Sequence, residues 1–155
     1  MSLPTPSPRV RAATDDDVSA LVALWDACGL SRPHNHGPTD IAFARRGPNS
    51  DVLVLEQDGR IVASVMVGHD GHRGWVYYVA VHPDHQRQAL GTQMMEHAEE
   101  WLRAKGVWKM HLMVRNSNVS VLKFYEHLGF ADDSVIVLSK QLRPIPHIGI
   151  PQGSP

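Results

Sequence analysis

Apolar and polar positions alternate with two different periods along the chain, and the switches between them mark out its elements. RVRAA (9–13) has the short alternation of a strand. TDDDVSALVALWDACG follows, with Val18, Leu21, Val22, Leu24 and Trp25 at helical spacing. Thr14 or Asp15 caps this helix, three acidic residues suit its first turn, and Gly29 ends it. LSRPHNHGP reads as a loop, and TDIAFARR predicts a short second helix capped by Thr39. Three apolar runs come next, at 52–57, 60–69 and 74–82, separated by QDG and HDGHRG. Asp-Gly turns between β-rich runs predict antiparallel hairpins, and Pro83 closes the last strand. A helix over 90–105 carries an apolar stripe of Leu90, Met94, Met95, Ala98, Trp101 and Leu102, and Gly106 stops it. The paired methionines read as core filling. VWKMHLMV (107–114) predicts a fifth strand, SNVSVLKFYEHLGF a helix capped by Ser117 or Asn118 and ending at Gly129, and SVIVLSKQL (134–142) a last strand.

The order is therefore β-α-α-β-β-β-α-β-α-β. It implies an α/β layered domain with a central mixed, mostly antiparallel sheet and helices on both faces. The strand–helix–strand unit at 74–114 should be parallel. The expected organisation is a tail at 1–8, one domain at 9–142 and a Pro/Gly-rich tail at 143–155.

Composition removes several classes. The 155 residues suit one domain with a real core. A net charge of −1 gives no bulk attraction to nucleic acid or membrane. No apolar run approaches the ~18 residues of a spanning helix, and MSLPTPSPR lacks the pattern of a secretory signal. The single cysteine, Cys28, rules out an internal disulfide, fits a reducing, cytoplasmic compartment, and reads as a buried, inert thiol. The ten histidines contain no HExxH pattern and have no second cysteine to work with, so no metal is expected.

The informative stretch is VHPDHQRQALGTQMMEH (81–97), where a strand hands over to a helix through residues of little bulk. A helix N-terminus offers unpaired N–H groups to an anion, and Arg87 adds a charge. Neither a Walker loop nor GxGxxG is present, so chemistry alone leaves two readings: a phosphate site or an ordinary helix start.

VAVHPDHQRQALGTQMM resembles the acetyl-CoA signature of the GCN5-related N-acetyltransferase (GNAT) superfamily, in which a strand and a proline-containing turn lead into [QR]xxGx[GA] at a helix start. RNSNVSVLKFYEHLGF resembles the second signature, with an Asn seven residues before a Tyr and YExLGF after it. The resemblance covers residues 9 to 142 and is nearest to bacterial members such as the ribosomal-protein alanine acetyltransferases. It implies a GNAT fold and direct acetyl transfer from acetyl-CoA, as acyl-donor co-substrate, to a primary amine of a small molecule or a protein N-terminus. By the same resemblance, Val79, Ala80 and Val81 would present free backbone groups of a bulged strand to the pantetheine amides. Arg87, Gln88, Ala89, Leu90, Gly91 and Thr92 would surround the pyrophosphate, Asn118 would contact the pantetheine arm, and Tyr125 would assist the departing thiolate.

Two departures from the family pattern stand out. Ala89 replaces the first loop glycine and tolerates positive φ poorly. Trp75 and Tyr77 stand where relatives carry a Glu or His base, leaving a water chain with His69, Asp70 or His72 as relays. Tyr77 serves equally as pocket wall. RPHNHGPTD (32–40) is the expected specificity loop, with His34, His36 and Asp40 facing a charged acceptor. A monomer or homodimer is expected. The alternative function is a non-catalytic acyl-CoA-binding or interaction module that retains the fold.

Overall fold

Alternating valines and leucines need a partner on each side, and a five-stranded sheet supplies it in a computed structural model that describes residues 8–144. The strands are β1 (Arg9–Ala12), β2 (Ser50–Gln57), β3 (Arg60–His69), β4 (Gly74–Val81) and β5 (Met110–His111), adjacent in that order. Pairing is antiparallel from β1 to β4 and parallel between β4 and β5. The β2–β3 turn is tight because Asp58 and Gly59 take φ of 53° and 74°, the two positive values a type I′ hairpin needs.

Helices α1 (Val18–Ala27) and α2 (Gly37–Arg45) cover one face of the sheet. There Leu21, Leu24, Trp25 and Ile41 pack on Val52 and Val54. Helices α3 (Leu90–Ala104) and α4 (Val119–His127) take the other face. Met94, Met95, Ala98 and Leu102 of α3 meet Leu55, Val65, Val67 and Val76 there. Each such fully buried Leu or Met contributes about 1.5–3 kcal/mol by leaving water, so α3 is held by its stripe as the helical period predicts. At the other edge of the sheet, Arg11 grips Asp17 through two hydrogen bonds of 2.7 and 3.0 Å, and the Thr14 amide donates to the same carboxylate at 2.8 Å. That knot fixes the entry into α1, with Thr14 as the cap of the 3-10 turn that leads into it.

Three expectations need correction. The second helix starts at Gly37 and its cap is His36, not Thr39: the Thr39 amide donates to His36 Nδ1 at 3.3 Å, and Pro38 fits the first turn. The fifth strand pairs only at Met110 and His111 rather than over 107–114. The stretch 134–142 forms no strand. Its alternation is that of a strand, but it has no ladder, and Val135, Ile136, Leu138 and Leu142 are 71%, 85%, 90% and 88% exposed. Period 2 specifies which face a side chain takes; only a neighbouring edge makes a strand of it. Ser134 also turns the chain, with φ of 57° and its amide on Asp132 Oδ1 at 2.7 Å. The expected tails at 1–8 and 143–155 fall almost wholly outside the described residues.

Candidate active site

The site is built around a break in the alternation of β4. Met66 pairs with Tyr77 and Ser64 with Ala80, so Tyr78 and Val79 together oppose one residue of β3. This is a β-bulge, and Tyr78 takes φ of 51° to make it. The bulge reverses the parity of the strand. Val76 packs on the α3 side and Tyr78 on the α1 side; past the bulge Val79 and Val81 are on the α3 side and Ala80 on the α1 side. In a regular strand of the same sequence, Val79 and Val81 would face the opposite layer.

Side chains hold the bulge in place. The buried Ser64 hydroxyl donates to the Tyr78 carbonyl at 2.9 Å and accepts from Trp25 Nε1 at 2.9 Å. The Tyr78 ring stacks on Trp25 with centroids 3.8 Å apart, and its hydroxyl donates to Asp40 Oδ2 at 2.7 Å. Burial, and then Asp40, push the Tyr78 phenol well above its ordinary pKa, so it remains a donor.

On the β5 side, the ladder exists only at Gly74–Met110 and Trp75–His111. From Val76 onward that edge of β4 has no strand beside it among the described residues. The carbonyl of Val81 is already engaged, by Gln86 Nε2 at 2.8 Å and the Cys28 thiol at 3.2 Å. Beyond β4, Arg87 and Ala89 take φ of 66° and 57°, and Ala89 caps α3 in the left-handed region. The first helical bond there runs from the Gln93 amide to the Ala89 carbonyl, so the amides of Leu90, Gly91 and Thr92 precede the helical ladder. Arg87, Gln88 and Ala89 are exposed, while the Leu90 side chain is buried in the core. A Cβ at Gly91 would stand 3.2 Å from Phe124 Cζ, so the glycine lets α4 close over the start of α3. Its neighbour Tyr125 packs on the same core with Phe130 edge-on at 5.6 Å. Burial alone pushes the Tyr125 phenol up to about 12. Asn118 caps α4 by position, but its side chain makes no cap hydrogen bond and is exposed.

The α1–α2 side of the bulge opens into a cleft of about 570 Å³. Trp75, Tyr77 and Tyr78 line it from β4, Met66 and His69 from β3, Asp40 and Phe43 from α2, and Asp70 and Met113 from connecting segments. Among the described residues, its walls include two carboxylates and no lysine or arginine.

A family model described as the acetyltransferase (GNAT) family matches residues 18–130. The chain belongs to the GNAT family. An acetyltransferase of Pectobacterium atrosepticum is 40% identical over 133 residues, spanning 86% of this chain and 94% of the relative. The Escherichia coli ribosomal-protein-S18-alanine N-acetyltransferase superposes with a TM-score of 0.69 at 26% identity, over 79% of this chain and 76% of that one. An aminoglycoside N-acetyltransferase solved in complex with CoA shares the fold, with a TM-score of 0.75 at 13% identity over 88% of this chain and 95% of its own. This GNAT protein is an N-acetyltransferase enzyme, acting on an acceptor that carries an amine. Among the described residues no helix is long and apolar enough to cross a membrane, and no three His, Cys, Asp or Glu side chains are grouped to hold a metal.

Within this GNAT domain the expected residues divide. Val79, the loop 87–92 and Tyr125 are arranged around the α3 side of the bulge, and Asn118 begins the helix that carries Tyr125. Tyr77 and Asp40 line the cleft. His34 and His36 do not. His34 is an exposed loop residue, and His36 is a helix cap with Nδ1 2.7 Å from the Thr39 hydroxyl. His69 and Asp70 reach the cleft and His72 does not. Sequence reasoning missed Trp25, Ser64 and Tyr78. The doubled tyrosine in WVYYVAV, two large side chains where one should point each way, was the available signal for the bulge.

Proposed function

We propose that this enzyme takes acetyl-CoA as its donor and acetylates a primary amine of a small molecule or a protein N-terminus. The observation that carries the reading is the bulge at Tyr78–Val79, where the open edge of β4 and the acidic cleft meet on one strand. The loop fits a diphosphate: two left-handed residues turn the amides of the first turn of α3 outward beside the exposed Arg87. The donor brings an activated acyl thioester. Arg87, Gln88, Ala89, Leu90, Gly91 and Thr92 hold its diphosphate, Leu90 through its amide because its side chain is in the core. The edge of β4 at Val79 and Ala80 pairs with the pantetheine amides. Val81 contributes less there than the resemblance implies, because its carbonyl is taken. Asn118 reaches the same arm through its side-chain amide, since only its Oδ1 is engaged, by the Ser120 hydroxyl at 3.4 Å.

In the net reaction a C–N bond forms, the C–S bond breaks, and the proton lost by the amine balances the one gained by the thiol. Tyr125 stands protonated at neutral pH, as a donor to a leaving thiolate must. His69, which lines the cleft, is the relay for the amine's proton in this reading. Isothermal titration with acetyl-CoA tests the reading, alongside free-thiol release with an amine panel. Arg87→Ala should weaken acetyl-CoA by about 1–3 kcal/mol, the scale of lost charge-assisted hydrogen bonds, without lowering the melting temperature. No binding at high micromolar acetyl-CoA would end the proposal.

A further inference from the structure

Resting on that reading of the site, we infer that the acceptor is a compact aliphatic amine bearing a second ammonium group, one end held near Asp40 and the other near Asp70. The two carboxylates stand at opposite ends of an aromatic wall. Asp40 is bonded to Tyr78 at the bulge. Asp70 sits in the β3–β4 turn, where its Oδ1 accepts the His72 and Arg73 amides at 2.9 and 2.8 Å. Those turn amides hold its carboxyl below the usual range, and its charge also reaches Tyr77, whose phenol is pushed up first by burial and then by Asp70. Asp70 also lines the cleft, so its carboxylate is presented there at neutral pH.

Strand rise of about 3.3 Å per residue puts Trp75 and Tyr78 roughly 10 Å apart along β4, the reach of an extended diamine of about six carbons. Between them the wall is Trp75, Tyr77 and Tyr78, faces suited to methylenes and to an ammonium ion. With no lysine or arginine among the described lining residues, the cleft offers no permanent cation to an acceptor carboxylate. An α-amino acid would bring an unmatched negative charge between two aspartates. A monoamine would leave one of the carboxylates unused.

The test is free-thiol release by the full chain with matched pairs: 1,6-diaminohexane against 1-hexylamine, and 1,4-diaminobutane against 1-butylamine, with a short uncharged peptide bearing a free N-terminus as a third arm. The expected result is a kcat/KM at least about tenfold higher for 1,6-diaminohexane than for 1-hexylamine, mostly through KM, since one added ion pair in a partly open site is worth this order. Raising salt should shrink the ratio, as should Asp70→Asn. Acetyl-CoA titration of Asp70→Asn should match the parent. Equal rates for diamine and monoamine would overturn the inference, as would preference for the peptide, or a ratio unmoved by Asp70→Asn. In each of those cases intact acetyl-CoA binding with turnover would leave the acetyltransferase reading standing, whereas loss of donor binding in the parent would sink both.

Discussion

Between β1 and β3 the sheet pairs from Arg9 opposite Glu56 across to Gln57 opposite Arg60, with one register shift after Leu55 and with both faces covered by helices. Between β4 and the C-terminal segment pairing nearly stops: two residues of β5, then an exposed stretch at 134–142. The apolar content of the two regions is similar, VLVL in β2 against VIVL at 135–138. Their burial is not, and the difference shows where each job is done. The closed half supplies the free energy. The open half leaves backbone groups and a gap that a ladder would have consumed. Ser64, Trp25 and Tyr78 mark the border, using buried hydrogen bonds to fix the conformation of a strand whose far edge is unpaired.

The sharpest test of this contrast is one leucine from each half. Leu55→Ala, in a fully buried position, should cost about 2–5 kcal/mol in urea unfolding. Leu138→Ser, 90% exposed, should change the same measurement by less than about 0.5 kcal/mol. Comparable losses at both positions would mean that 134–142 is packed in solution and that the contrast is false.

Tyr125→Phe probes the open half where stability should not respond. We expect kcat to fall about 10- to 1000-fold, the range of a lost general acid, with little change in melting temperature because the ring keeps its contacts with Phe130. The parent phenol, at about 12, should also impose no descending limb on the kcat–pH profile below about pH 11. A stability loss with unchanged kcat would make Tyr125 a packing residue.

Acid probes the closed half. Asp17 has its carboxyl lowered from 3.8 to about 2, chiefly by the hydrogen bonds from Arg11. The folded form holds the ionised carboxylate more tightly than the unfolded chain does. Its contribution of about 2 kcal/mol is therefore complete above pH 3.8 and is lost as pH falls through about 2. Asp17→Asn should flatten that part of a stability–pH curve; an unaltered acid limb would place the titrating group elsewhere. A small gain is expected at the turn into α3. Ala89→Gly should relieve left-handed strain and raise stability by roughly 0.5–1 kcal/mol after the extra entropy of the unfolded glycine, with acetyl-CoA binding no weaker. Weaker binding would show that the alanine methyl itself has a role.

The sequence carried the order of the elements through β5, the two hairpins and all four helices, because these depend on local period and on turn residues such as Asp58-Gly59. What escaped it depends on contacts across the fold. The bulge needs Ser64 and Trp25, distant in the chain, to stabilise Tyr78. His36 had a polar loop's look of a substrate ligand, yet Thr39 three residues on turns it into a cap. The stretch 134–142 had the right alternation and no neighbour. Asp70 was legible as a turn residue and candidate relay, but nothing local says that it lines one cleft with Asp40.

The one thiol of this chain lies at the junction of the two halves. Cys28, at the end of α1, is half-buried, donates to the carbonyl of Val81, and has its pKa raised by burial. A disulfide dye used to follow CoA release will therefore meet one slow protein thiol per chain, whose blank rate must be subtracted. That same blank is a clock. Its rate reads how tightly the end of α1 holds the thiol against the Val81 carbonyl, without any label being introduced.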